Sequence, residues 1–124
     1  MFKEKEIKKS NLFDYLKKSA EEGYVEAQHE LGNELILGNL CEKDYLLALA
    51  WHRNACKNGY VLSYEPCGDL YYSGGDNLTP NKQMALVMYY AGYTKGIIEL
   101  KDKVMKVRDE LVKIGEPLPE MILV

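Results

Sequence analysis

The strongest constraint on this chain is an internal repeat marked by glycine. The segments EEGYVEAQHELG and KNGYVLSYEPCG each contain Gly-Tyr-Val and, nine residues after its glycine, a second glycine. Gly23 and Gly59 lie 36 residues apart, and Gly59 and Gly96 lie 37 apart because one residue is inserted in the loop GGDNLT. A period in the thirties is typical of stacked helical hairpins. We therefore predict that the chain is built from such hairpins.

Each half-period has the hydrophobic pattern of an amphipathic helix. Asp44 is a suitable N-cap, and Gly59 can adopt the left-handed conformation that ends a helix. We predict an all-α fold, an α/α right-handed superhelix of stacked antiparallel helix pairs. The helices are expected near residues 11–22, 25–37, 44–58, 64–73, 81–94 and 97–114, with a further short helix before Ser10.

Composition limits the class of protein. The 124 residues carry a net charge of −3, so neither nucleic acid nor an anionic membrane is an expected partner. The longest apolar run, YLLALAW, is far shorter than the roughly 20 residues of a membrane-spanning helix. The N-terminus lacks the apolar stretch of a signal peptide, and three cysteines cannot all pair within one chain. We expect a single cytoplasmic domain, residues 1–124, with free thiols.

The residues that recur in register resemble the Sel-1-like repeat family, relatives of the tetratricopeptide repeat. The first full copy matches the family pattern at Ala27, Leu31, Gly32, Gly38, Asp44, Ala48, Trp51, Ala55 and Gly59, and the second matches at Gly68, Tyr71, Gly74, Ala85, Tyr89 and Gly96. The resemblance implies a bacterial protein with a partial repeat at 11–24, full repeats at 25–60 and 61–97, and a capping helix at 98–114.

Three positions need a structural explanation. Gly32 and Gly68 fall inside predicted helices, where glycine costs about 1 kcal/mol relative to alanine. We expect a neighbouring helix to approach closely where the Cβ is missing. Pro66 is tolerated only in the first turn of a helix, so the helix that contains it should begin near Tyr64 or Glu65.

Reactive chemistry has weak support in the sequence. His52 and Cys56 are four residues apart, a spacing that suits two ligands of a zinc site or a Cys–His nucleophile pair. The sequence offers no further zinc ligands at a paired spacing, and no third group that would orient a Cys–His pair. The simpler interpretation places Cys56 and Cys67 in the core, Cys41 in a loop and both histidines partly exposed. We predict no catalytic residue, no metal site and no cofactor, and keep a small hydrolase or metal-binding protein using His52 and Cys56 as the alternative.

The resemblance also implies which surface binds a partner. In related helical repeats, the first helix of each pair lines the concave side. Projected onto this chain, that surface carries Glu26, His29, Asn33, Ile36, Leu62, Glu65, Asp69, Tyr72, Glu99 and Asp102, with Lys106 as its single lysine. An acidic groove with some apolar side chains suits a basic protein or peptide. The alternative is that these charges only solvate the helices.

The resulting function is a non-catalytic protein–protein interaction module. Its partner would be a basic protein or peptide held on an acidic concave face, as an adaptor, scaffold or immunity-type binder would hold it. A homodimer is a further alternative, because the C-terminal segment PEMILV can cover an exposed end of the stack or join two chains.

Overall fold

The helices of the computed structural model begin and end close to the positions expected from the repeat. The structure describes residues 8–120. Two short 3₁₀ turns, Val61–Ser63 and Ile98–Leu100, precede the fourth and sixth helices. The six α-helices are α1 Lys9–Glu21, α2 Val25–Leu37, α3 Tyr45–Lys57, α4 Tyr64–Ser73, α5 Lys82–Thr94 and α6 Lys101–Lys113.

The expected all-α fold of stacked helix pairs is confirmed. Between residues 8 and 120, the one strand-like feature is an isolated bridge between Gly75 and Leu78. None of the helices described there has the length and apolar character to cross a bilayer. The predicted helix before Ser10 falls largely in residues 1–7, and MILV of the C-terminal segment is residues 121–124, so both lie outside the described part of the chain.

The second helix of each full repeat begins with the same cap. The side chain of Asp44 accepts a hydrogen bond from the Leu47 amide at 3.0 Å, and Asn81 accepts one from the Met84 amide at 3.0 Å. Both cap residues have nearly identical extended backbone angles. A short polar side chain at this point pairs one of the amides that a helix start leaves unpaired. The repeat thus reproduces local geometry as well as residue type.

Three glycines end helices in the same way. Gly23, Gly59 and Gly96 have φ values of 101°, 94° and 109°, which L-residues with a side chain rarely adopt. At the first of these turns the Tyr24 amide reaches back to the Ser19 carbonyl at 3.2 Å, and equivalent bonds follow Gly59 and Gly96. Each turn is therefore a Schellman-type stop that reverses the chain into the next helix.

The glycines inside α2 and α4 each lie against an aromatic ring of the partner helix. A Cβ added to Gly32 would lie 2.5 Å from the His52 ring, and one added to Gly68 would overlap the Tyr89 ring. His52 and Tyr89 occupy equivalent positions on α3 and α5, 37 residues apart. An aromatic ring of the partner helix therefore fills the space of the missing Cβ in both helix pairs.

The core runs along the stack between these contacts. Cys56 and Cys67 are buried, as expected, and Cys41 is partly buried in the loop after α2. Tyr89 is buried as well. Helix α4 begins at Tyr64, so Pro66 is its third residue and lies in the first turn, where its missing N–H leaves no hydrogen bond unmade.

One expectation about the core was wrong. The sequence predicted that both histidines are partly exposed, but His52 is fully buried and only His29 retains partial exposure. The reason is the contact with Gly32: the glycine leaves a slot that the imidazole ring fills. The histidine therefore packs as an aromatic core residue does.

We expect Gly32→Leu to destabilise the fold by on the order of 1–3 kcal/mol, because the new side chain would overpack the His52 ring. Urea unfolding followed by circular dichroism measures the loss. Glu30→Leu, an exposed position on the same helix, is the control and should change stability little. If Gly32→Ala costs as much in a His52→Ala background as it does alone, the ring contact is not the cause.

Candidate functional site

The first helix of each full repeat, α2 and α4, and the final helix, α6, form a shared surface that we call the inner surface. Between α2 and α4 lies an open cavity of about 390 Å³. Asn33 and Ile36 contribute from α2, and Asp69 contributes from α4. These three residues, all projected onto one face from the sequence, therefore border one concavity. The rest of its lining comes from Tyr45, Pro66, Leu70, Ser73 and Gly74.

Lys103 of α6 joins two carboxylates of α4. Its Nζ lies 2.8 Å from Glu65 Oε2 and 2.9 Å from Asp69 Oδ1. Burial opposes the positive charge, but the two carboxylates prevail and raise the pKa of Lys103. The hydroxyl of Tyr89 also donates to Asp69, and burial together with this hydrogen bond raises the pKa of Tyr89. Asp69 is therefore fixed by two donors from two other helices.

A second polar cluster connects α4 and α6 one turn further along. The Tyr72 hydroxyl donates to Glu110 Oε1 at 2.6 Å, and Lys82 Nζ lies 3.1 Å from the same oxygen. Lys106 and Lys82 also lie over the Tyr72 ring, at 5.1 and 5.6 Å from its centroid. The hydrogen bond from Tyr72 and the charge of Lys82 lower the pKa of Glu110. The cluster therefore places two cations close to one aromatic ring at the edge of the inner surface.

The corresponding position between α2 and α3 contains a chain of neutral hydrogen bonds. His29 Nδ1 lies 2.7 Å from Ser63 Oγ, which lies 3.0 Å from His52 Nδ1. With the Asn33 amide donating to His29 Nε2 at 3.2 Å, His29 carries its proton on Nδ1 and donates to Ser63. Ser63 then donates to His52, whose own proton sits on Nε2.

His52 Nε2 makes no hydrogen bond to any described residue. A buried donor without a partner costs about 1–3 kcal/mol. Burial, assisted by the proximity of His29, lowers the pKa of His52 to about 4, and burial lowers the pKa of His29 as well. Both rings are therefore neutral at pH 7.

The inner surface contains two regions of contact between neighbouring helices, which we call joints. They differ in charge because equivalent positions carry different residues. His29 and Asn33 occupy the repeat positions of Glu65 and Asp69, 36 residues later. The joint between α2 and α3 is thus built from neutral imidazole, amide and hydroxyl groups, and the joint between α4 and α6 from carboxylates and lysine. The inner surface is polar at one end and ionic at the other.

The remaining projected residues lie apart from the cavity between α2 and α4. Glu26 borders a different cavity, of about 590 Å³, between α1 and α2. Leu62, Glu99 and Asp102 are exposed and line none of the described cavities near the inner surface. The projection also missed Lys103, since its repeat-equivalent position is Pro66 and gave no indication of a cation facing Glu65. The inner surface therefore has more positive charge than the single lysine expected.

The structure separates the two residues of the alternative chemical site. His52 faces Ser63 and Gly32, while the Cys56 thiol pairs with the thiol of Cys67. The Cys56 hydrogen bond and burial raise the pKa of Cys67 well above its usual range. Ser63 does contact two imidazoles, but it is fully buried and no substrate reaches it. Among residues 8–120, no cluster of three or more histidine, cysteine or carboxylate side chains has the geometry to hold a metal ion.

Two solved structures resemble the chain over most of its length. One is a protective antigen present in uropathogenic Escherichia coli strains and displaying an SLR fold, with a TM-score of 0.74 and 24% identity over 82% of this chain. The other is a Sel1 repeat protein from Oxalobacter formigenes, with a TM-score of 0.68 and 23% identity over 77% of this chain and 71% of its own. The chain has the Sel1-like repeat fold.

The chain spans only 22% of the length of the Escherichia coli antigen. No protein-family model and no curated protein matches the sequence. The structural likeness therefore establishes the Sel1-like architecture and nothing about the inner surface.

We expect the Sel1-like stack to lose stability as the pH falls from 6.5 towards 4 because of His52. The folded pKa of about 4 lies below the ordinary 6.5, so the unfolded chain binds the proton first. His52 makes its full contribution to the free energy of unfolding above pH 6.5. About 3 kcal/mol of this contribution is lost as the pH falls towards 4. Urea unfolding at several pH values measures it.

His52→Gln, which keeps an acceptor for Ser63 but does not titrate, should remove this component and leave the effects of His29 and of the carboxylates. A His52 imidazole resonance that titrates near its ordinary value in NMR spectra would contradict the assignment.

Proposed function

We propose that the protein is a non-catalytic interaction module that holds a basic protein or peptide on the inner surface. The observation that carries the proposal is the cavity between α2 and α4, where Asn33, Ile36 and Asp69 meet beside the carboxylate of Glu65. A groove that combines apolar walls with a fixed carboxylate suits a partner segment with an aliphatic side chain next to lysine or arginine.

Lys103 determines how such a partner binds. It already pairs with Glu65 and Asp69, and its side chain is 41% exposed. An exposed ion pair contributes at most about 1 kcal/mol, so an arginine that makes two parallel hydrogen bonds can displace the lysine at small cost. Glu26, Glu99 and Asp102 lie outside this cavity, are exposed and form no ion pair with any residue the structure describes. They extend the negative charge beyond the cavity.

We propose a module without catalytic activity because its candidate nucleophile and base are not accessible to a substrate. Ser63 and His52 are fully buried, and the hydrogen bonds of Ser63 are satisfied within the core. A nucleophile must reach its substrate, so this pair serves packing instead. We propose that the module acts as an adaptor, scaffold or immunity-type binder in a bacterial cytoplasm, consistent with structural neighbours from Escherichia coli and Oxalobacter formigenes.

The substitution pair Glu65→Gln and Asp69→Asn tests the proposal. It removes both charges but keeps side chains of the same shape, so Tyr89 and Lys103 retain a neutral acceptor. With the wild-type protein as bait in a native lysate, we expect a basic protein to be captured and quantified by mass spectrometry. Loss of two charge contacts should reduce its recovery by about tenfold.

Glu21→Gln with Glu42→Gln is the matched control, because both residues are exposed and the net charge changes equally. Circular dichroism verifies that all three proteins are folded. Equal recovery of the same partner by all three would show that the inner surface does not bind it.

A further inference from the structure

The side of the stack formed by α3 and α5 carries a groove that the proposed function does not use. It encloses about 760 Å³ and shares no lining residue with the cavity of the inner surface. Its lining along α3 runs from Leu47 to Lys57, which is a length of about 15 Å at the helical rise. We call it the outer groove. A groove of that length accommodates about three turns of a bound helix.

The floor of the outer groove is apolar. Leu47, Ala50 and Trp51 contribute from α3, and Tyr64 and Met88 contribute from the neighbouring α4 and α5. Leu47 is 45% exposed and Ala50 is also exposed, although both lie on a helix whose opposite face is core. A single exposed leucine is ordinary, but several apolar side chains around one concavity mark a binding surface. Tryptophan, tyrosine and methionine are also the residues enriched at protein interfaces.

The charges of the outer groove all have one sign. Arg53 and Lys57 are exposed at its rim, and its lining contains no carboxylate. Within residues 8–120, neither of these two cations forms an ion pair. The protein as a whole has a net charge of −3, so this rim is a local reversal of the overall charge. Complementarity therefore favours an anionic occupant.

We infer that the outer groove docks an acidic segment of another protein that presents large apolar side chains flanked by aspartate or glutamate. The apolar side chains cover Leu47 and Trp51, and the carboxylates pair with Arg53 and Lys57. The planar guanidinium of Arg53 suits a carboxylate particularly well because it donates two parallel hydrogen bonds. A basic segment, which the inner surface would prefer, is repelled here.

The test uses a phage library of random peptides of about twelve residues, long enough for three helical turns. Peptides selected on the wild-type protein are counter-selected on the double variant Arg53→Glu with Lys57→Glu. We expect the enriched peptides to combine leucine, phenylalanine or tryptophan with neighbouring aspartate or glutamate. Fluorescence polarisation with the most enriched peptide should then show about tenfold weaker binding to the double variant, since two ion pairs are lost.

Two further variants sharpen the test. Lys101→Glu with Lys113→Glu on α6 changes the net charge equally at exposed sites outside the groove and should bind the peptide as the wild type does. Leu47→Asp should weaken binding by about tenfold through the floor alone, and its exposure allows the fold to survive.

Three results would overturn the inference. The enriched peptides could be basic or uncharged, selection could give no peptide that distinguishes the wild type from the double variant, or the variants could bind the peptide equally. A last experiment uses vesicles that contain an anionic lipid. If the protein binds these vesicles and selection yields no peptide, the outer groove binds a membrane surface instead. Glu65→Gln with Asp69→Asn should leave peptide binding unchanged, which separates this result from that for the inner surface.

Discussion

The contact between an aromatic ring and a glycine is the constraint on which the rest of the stack depends. Gly32 accepts the His52 ring and Gly68 accepts the Tyr89 ring, so the two helices of each pair approach without an intervening Cβ. Dense packing leaves no alternative position for these rings, since protein interiors contain few voids large enough to receive a displaced side chain. The glycine therefore lowers the local helix propensity but fixes how the pair is assembled.

This packing contact also decides what reaches the inner surface. The Tyr89 ring is long enough for its hydroxyl to meet Asp69, and that carboxylate then holds Lys103. The shorter His52 ring ends inside the core, where Ser63 and His29 continue the hydrogen-bond chain outward. The change from tyrosine to histidine in the core, together with the changes at the positions of Glu65 and Asp69, thus replaces an ionic joint with a neutral one while the helices stay the same.

The helices were predictable because their signals are local. The N-caps at Asp44 and Asn81 and the left-handed glycines act within one turn, and a repeat shows them more than once. The burial of His52 also had a signal, since its repeat partner is Tyr89, a large aromatic residue that matches the family pattern. Lys103 had none: it pairs across layers with α4, and such pairs depend on how α6 is rotated against its neighbour. Periodicity identifies the buried face of α6 but not which polar residue beside that face meets a carboxylate of α4.

The inner surface and the outer groove belong to opposite sides of the same two layers, and α3 connects them. On this helix His52 points inward to Ser63, while the next residue, Arg53, lies at the rim of the outer groove. Consecutive helical residues point in directions about 100° apart, so a single turn can serve both surfaces. Small buried residues of α3 such as Ala48 and Ala55 line neither surface. Because the two surfaces share no lining residue, charge changes on one surface should affect the other little.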